Sequence, residues 1–331
     1  MTSTIKIGAG SVSVKTLAIA ILLVLMVAVM AVAIYKNPNA SEDLFDDPVI
    51  QGGKGIGSTL TYSIVDTEDT FDLEIVGESG SYYFADLTAL AALVGSETEY
   101  QMFHKETGAL RFAEAGDPER FEFDGETKEL VVWTGITEGG VEWVFHSCED
   151  DGIPYVIEIA AEDDSARAEL LSTDIIEPSG DYERPDLLDK YFIYELTDGD
   201  DAVSTVYYRN AVVAEGGMYG ILKLTVGAEE DEDGNEAETY QAEYLLASVD
   251  VHEFIFDFVT SFGSAVVSGS EVLDTVDGEI TCDVYTIDTG DAGSITAYAD
   301  TSAKIVYAAD IETQEETHHM ELLEYGPSDE A

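Results

Sequence analysis

The sequence predicts a mainly β protein, a β-rich α+β chain. An N-terminal transmembrane helix precedes antiparallel curved sheets arranged as two tandem units with one or two short helices. Three observations predict it. An uncharged apolar run stands near the N-terminus. A long series of short segments with the two-residue alternation of strands follows. A faint internal repeat then divides that series in two.

The apolar run is Leu17 to Tyr35, nineteen residues without a charge. As a helix it covers about 28 Å, close to the hydrocarbon thickness of a bilayer. Lys6 and Lys15 precede it, no acid does, and Glu42, Asp43, Asp46 and Asp47 follow. The positive-inside rule therefore predicts a single-pass protein of the cell membrane, with a cytoplasmic N-terminus and an extracytoplasmic bulk. A cleaved signal peptide ending at Ala31-Val32-Ala33 is the competing reading, but the run exceeds the usual apolar length of one. The organisation that follows is a cytoplasmic tail (residues 1–15), an anchor (16–36), a linker (37–57), a first β-rich unit (58–178), a second (179–326) and a short tail (327–331). The linker is rich in Pro, Gly and acids and carries a glycosylation sequon, Asn39-Ala40-Ser41.

Charge is the most unusual property. There are 69 Asp and Glu against 14 Lys and Arg, a formal net charge of −55. Every acid lies beyond Lys36. Such a surface repels phosphates and anionic headgroups, which argues against a nucleic-acid partner. The acids are scattered instead of gathered at ligand spacing. That favours a solvated surface suited to high salt, a composition that resembles proteins of salt-adapted microbes, over a cation-buffering device. Apolar residues at 45% and aromatics at 10% supply a core and exclude a disordered tail.

Strands are predicted at Thr61–Val65, Phe71–Val76, Arg120–Phe123, Leu130–Thr134, Val141–His146 and Tyr155–Ala160. After a break at Glu177–Gly180 they resume at Tyr191–Leu196, Val203–Tyr208, Tyr219–Val226, Thr239–Ala247, Cys282–Ile287, Ser294–Ala299, Lys304–Ile311 and His318–Glu324. Phe84–Val94 reads as a short helix, with Asp86 as N-cap and Gly95 as stop. Val251–Phe262 alternates phenylalanines as a strand would, but its length favours a helix.

Thr61–Asp66 parallels Ile193–Asp198, and a shift of 152 residues matches Trp133 with Tyr285, Ile153 with Ile305, Tyr155 with Tyr307 and Ile159 with Ile311. Duplication explains this; a chance likeness of two aromatic-rich meanders is the alternative. The long meander with a helix or two, closing in hairpins such as CDVYTIDTGDAGSITAYADTSAKIVYAADI, resembles the half-barrel of the bacterial lipoprotein-carrier family. It resembles membrane-anchored microbial (archaeal) surface proteins more closely. The likeness spans about Thr61–Ile176 and Tyr194–Tyr325 and rests on element order. It implies a curved sheet able to hold an apolar ligand and carries over no ligand residue.

Chemical motifs are sparse. With Gly234 as the sixth residue of a calcium loop, Glu229, Asp231 and Asp233 take the first, third and fifth positions, but Tyr240 stands where a bidentate Glu is required and the flanks read as strands. A solvated hairpin tip with weak Ca²⁺ or Mg²⁺ affinity is the expectation, and no cofactor is. His104, His146, His252, His318 and His319 form no ligand motif, and His318 and His319 on a strand face opposite ways. Cys148 and Cys282 would close a large loop as an extracytoplasmic disulfide. The repeat alignment sets Cys148 opposite Asp300, however, so two buried thiols are the favoured reading. Gly53–Ser58 lacks phosphate-loop spacing, and no GxSxG elbow occurs. The expectation is a non-catalytic module that binds an apolar or peptide-like ligand, or serves the envelope. An extracytoplasmic hydrolase using its abundant carboxylates and a cation-dependent adhesion protein are the alternatives.

Overall fold

The computed structural model describes residues 4–7, 10–13, 50, 53–96, 98–137, 139–161, 164–178, 188, 190–198, 201–230, 236–261, 265–288, 293–312 and 317–326. The predicted anchor lies outside them. Among the described residues, no helix is long and apolar enough to cross a membrane. The described residues are mainly β, built on a large mixed sheet with two short helices.

A separate hairpin, β1 (Thr4–Ile7) with β2 (Gly10–Ser13), opens the chain. The first large set is β3 (Thr59–Ile64), β4 (Thr70–Ser79), β5 (Tyr82–Asp86), helix α1 (Thr88–Ala91) running into a 3₁₀ turn at Ala92–Val94, and β6 (Tyr100–His104). It continues with β7 (Glu114–Ala115), β8 (Glu119–Phe123), β9 (Glu126–Ile136), β10 (Glu142–Cys148), β11 (Ile153–Ala161) and β12 (Asp164–Asp174). Neighbours pair antiparallel, β7 and β8 both lie on β9, and β12 returns to β3 with Leu170 opposite Tyr62. The second set is β13 (Tyr191–Asp198), β14 (Asp201–Ala214), β15 (Tyr219–Glu230), β16 (Glu236–Ala247), α2 (Val251–Ser261), β17 (Val266–Thr275), β18 (Gly278–Asp288), β19 (Ser294–Asp300), β20 (Ile305–Glu312) and β21 (Thr317–Tyr325). Here β21 returns to β13 with Leu322 opposite Tyr194.

The same ladder is built twice. In the first set Trp143 faces Gly135 and Phe145 faces Trp133; in the second Ile295 faces Ile287 and Ala297 faces Tyr285. A shift of 152 residues carries one pairing onto the other. Even the irregularities repeat, since the ladder slips between His146 and Ser147 and again between Tyr298 and Ala299. Register is fixed by which face is buried, so the shared slips reflect one pattern of inward residues. Tyr62 donates to the Pro154 carbonyl at 2.5 Å, and Tyr194 to the Val306 carbonyl at 3.0 Å, the matching pair of atoms. Burial pushes both phenols well above their ordinary pKa.

Each set has its own core. Trp143, Phe145, Tyr62 and Phe103 fill the first; in the second, α2 lays Val251, Ile255, Phe256 and Val259 against Tyr285, Ile287 and Ile295. A third cluster joins them, with Phe84 and Met102 packed on Tyr207, Val212, Leu222 and Tyr244. Its contacts pair counterparts. Glu78 lies opposite Val213 in the β4–β14 ladder, a Cβ at Gly77 would stand 3.0 Å from Val212 Cγ2, and one at Gly220 would meet the Phe84 ring. Within the repeated registers Gly77 corresponds to Val212 and Phe84 to Gly220. Counterparts meeting each other is the geometry of an isologous two-fold contact, here inside one chain.

Each predicted strand overlaps an observed one. The helix expected at Phe84–Val94 is corrected: β5 continues through Asp86 and the helix starts at Thr88. Phe84 belongs to the joining cluster and Ala85 to the first core, so this stretch is buried on both faces and reads as a continuous apolar run. Asp86 is not the N-cap, a position that Leu87 holds without a side-chain cap; as the last residue of β5 it accepts the Thr88 N–H at 2.9 Å and its hydroxyl at 2.6 Å, while Gly95 in the left-handed region ends the turn. The second helix begins on Asp250, whose carboxylate accepts the N–H groups of His252 and Glu253 and takes Lys190 Nζ at 3.0 Å. Residues 53–57, read from composition as linker, are packed on the sheet. Lys54 is buried with its N–H on the Tyr83 hydroxyl, and Gly53 leaves no room for a Cβ beside that same oxygen.

Candidate functional site

Among the described residues, an open groove of about 470 Å³ lies beside β10, β11 and β12. Its apolar surface comes from Val144, Ile159, Ala160 and Ala166 on the strands, Ile64 and Val65 at the end of β3, and Leu93 from the turn after α1. Val65 and Leu93 are partly open to solvent. Asp66, Glu142 and Glu158 place three carboxylates on its walls, against one cation, Arg167. The tight turn that presents Asp66 holds it at φ 66°, a left-handed geometry that Asp tolerates better than most residues. Val65 N–H bonds the Arg167 carbonyl at 2.8 Å, which fixes the turn against β12.

Behind the groove is a line of charged side chains running across the strands. The buried His146 ring has Nδ1 3.3 Å from Glu119 Oε2 and Nε2 3.3 Å from Glu158 Oε1. The Nε2 contact lacks hydrogen-bond geometry. Arg167 pairs with Glu158 through Nη1 and with Glu169 through Nε at 3.2 Å. Glu158 is thus shared by an imidazole and a guanidinium, one on each neighbouring strand. The second set repeats this line with different chemistry. Tyr298 takes the place of His146, Asp310 of Glu158, His319 of Arg167 and Glu271 of Glu119. Tyr298 donates to Asp310 Oδ2 at 3.1 Å, and His319 Nδ1 lies 2.7 Å from Asp310 Oδ1. Burial, then the hydrogen bond to Asp310, then the nearby carboxylates push the Tyr298 phenol up to about 12.

Of the residues singled out from the sequence, Glu229 lies on β15 with its side chain outside the described residues, as do Asp231 and Asp233 altogether. The ladder runs to Glu230 opposite Glu236, so strands flank that segment. Among the described residues, no group of three or more His, Cys, Asp or Glu is placed to hold a metal ion. Cys148 and Cys282 are buried free thiols, one in each core. Burial raises the pKa of Cys282, with the carboxylates of Asp300 and Asp283 adding to it. His318 is buried while His319 opens to solvent, as opposite faces require. The groove residues went unnoticed in the sequence, although the repeat alignment already set Glu158 over Asp310. Comparison with protein-family models, curated proteins and solved structures found no match to this chain.

Proposed function

We propose that this chain is a non-catalytic binding module held at the outer face of a membrane by Leu17–Tyr35. It would consist of two half-barrel-like units whose ligand sits in the groove beside β10–β12. The groove carries the reading: Val144, Ala160, Val65 and Leu93 supply apolar surface beside the carboxylates of Asp66, Glu142 and Glu158. Seven of the thirteen lining residues are apolar and six are polar, Thr67 and Ser165 included, a mixed lining that suits a ligand of both characters. The carboxylate excess selects a ligand with a positive group on an apolar body, such as a lysine-containing apolar peptide. The faces that a lipoprotein carrier would leave open are occupied here by α1, α2 and the aromatics of each core. That moves the ligand from the sheet interior to this outer groove.

The test uses the full chain in lipid nanodiscs and calorimetry with the tripeptide Leu-Lys-Leu amide against Leu-Glu-Leu amide. Binding of the lysine peptide alone, weakened several-fold by Glu142→Gln and by Leu93→Ser, supports the reading. Equal binding of both peptides, or indifference to both substitutions, refutes it. Protease protection of intact cells checks the side: digestion from outside must remove the β-rich part.

A further inference from the structure

Strand β17 is the longest of the described strands in the large sheet that have a single ladder partner. Among the described residues it forms a ladder with β18 alone, and residues 266–272 are exposed along both faces, with Val266 61% and Val272 60% accessible. In the first set the corresponding stretch is split into β7 and β8, and the chain just before it is drawn onto β6. Arg111 N–H reaches the Met102 carbonyl at 2.9 Å, and Leu110 bridges Phe103. The second set has α2 at that point, and among the described residues no ladder forms on the outer edge of β17. A bulge between Val267 and Gly269 breaks the edge, so Gly269–Thr275 is its continuous part.

An open edge is a template for another strand. Proteins usually guard one with lysines, prolines or a very short length. This hairpin has none of these devices. From Val266 to Asp288 it carries Glu271, Asp274, Asp277, Glu279, Asp283 and Asp288, and no Lys or Arg. Carboxylates guard it selectively. A second copy of the chain would bring the same six acids against them and is repelled, whereas a cationic strand is attracted. We propose that Gly269–Thr275 is a docking edge for an extended segment of another polypeptide in which lysines or arginines alternate with apolar residues, added antiparallel by main-chain hydrogen bonds.

The test is fluorescence anisotropy of a labelled (Lys-Val)₄ peptide on the full chain in nanodiscs, read beside amide hydrogen exchange. The proposal expects saturable binding, slowed exchange confined to 269–275, and no binding of (Glu-Val)₄. Val272→Lys, at an exposed position, should weaken the lysine peptide and the slowed exchange in 269–275 several-fold, while Glu122→Gln, exposed on β8 and outside the groove, leaves both unchanged. Peptide binding without slowed exchange in 269–275 means nonspecific attraction to the acidic surface and overturns the proposal. Slowed exchange there that grows with protein concentration and without peptide identifies a second copy as the occupant, and overturns it equally.

Discussion

The contact between the two strand sets can be tested at Gly220. A Cβ built there would lie closer than 3.0 Å to Val212 Cγ1 and 3.1 Å from the Phe84 ring, and all three residues are buried. Its backbone is not left-handed, so the cost of Gly220→Ala is one of space. Overpacking of a filled core costs about 1–3 kcal/mol. Val212→Ala removes two buried carbons. At about 0.8 kcal/mol each plus a cavity contribution, it should cost about 2 kcal/mol. In the double variant the new methyl occupies the space that Val212 vacated, so the loss should fall short of the sum by about 1 kcal/mol or more. Urea unfolding at molar KCl, followed by far-ultraviolet circular dichroism, measures all three. Gly269→Ala is the control, because nothing lies within 4 Å of a Cβ there. A Gly220→Ala protein as stable as the parent, or strictly additive losses, would refute close packing of Phe84 and Val212 over this glycine.

Alkali should unfold the protein through its tyrosines. The phenols of Tyr62 and Tyr194 are held well above the ordinary value, and those of Tyr155 and Tyr298 are pushed up to about 12. Since the unfolded chain loses these protons first, near pH 10, stability is complete below that pH and falls above it. Phenolate absorbance should rise together with loss of circular dichroism. Acid acts at Asp250: burial pushes its pKa up, but the Lys190 hydrogen bond and the α2 amides outweigh it and hold the carboxyl below its ordinary value. Its contribution is full above the unfolded pKa of about 3.9 and is lost as pH falls through the lower folded value; Asp250→Asn should therefore flatten the urea midpoint below pH 4. Lowering salt from 1 M to 0.15 M lengthens screening from about 3 to 8 Å. On a chain of net charge −55 this should lower the unfolding midpoint, and an unchanged midpoint would contradict surface repulsion as a destabilising force.

Where one face of a strand is wet, the sequence shows the strand plainly. TFDLEIV in β4 alternates exposed and buried from Thr70 to Ile75, and SITAYAD in β19 alternates along its length. Seven strands, β1, β2, β5, β6, β7, β12 and β17, were not read from the sequence, and two of them show why. In β12, DSARAELLSTD interleaves small residues with polar ones, so its inward Ala168 and Leu170 do not stand out. β17 has no buried face to write a period. Phe84–Ala85 misled for the opposite reason, being covered on both sides. The groove was legible only through register. His146, Glu158 and Arg167 are each unremarkable in sequence and become neighbours because β10, β11 and β12 align them. The predicted anchor, by contrast, rests on length and charge alone, and Leu17–Tyr35 lies outside the described residues.

The few cations complete the account of the acid surface. Only eleven Lys and Arg follow Lys36, and Lys54, Lys105, Arg111, Lys190 and Lys223 among them are buried. Lys54 Nζ donates to the Asp151 and Gly152 carbonyls, and burial holds its pKa below the ordinary lysine value although Asp151 pulls the other way. Lys105 pairs with Glu78 at 2.7 Å, donates to the Ile50 carbonyl at 3.2 Å, and shares the face of Tyr83 with Lys54. These five cations serve ties inside the fold, where screening by salt is weak, and so do not offset the carboxylates of the exterior. Two of these ties fasten Ile50 and residues 53–57 to the sheet, at the point where the chain would arrive from the proposed anchor. From Lys36 to Ile50 the chain reaches at most about 50 Å. If Leu17–Tyr35 spans the bilayer as proposed, that reach keeps the first strand set near the lipid surface and sets how far the groove and the β17 edge extend toward what they bind.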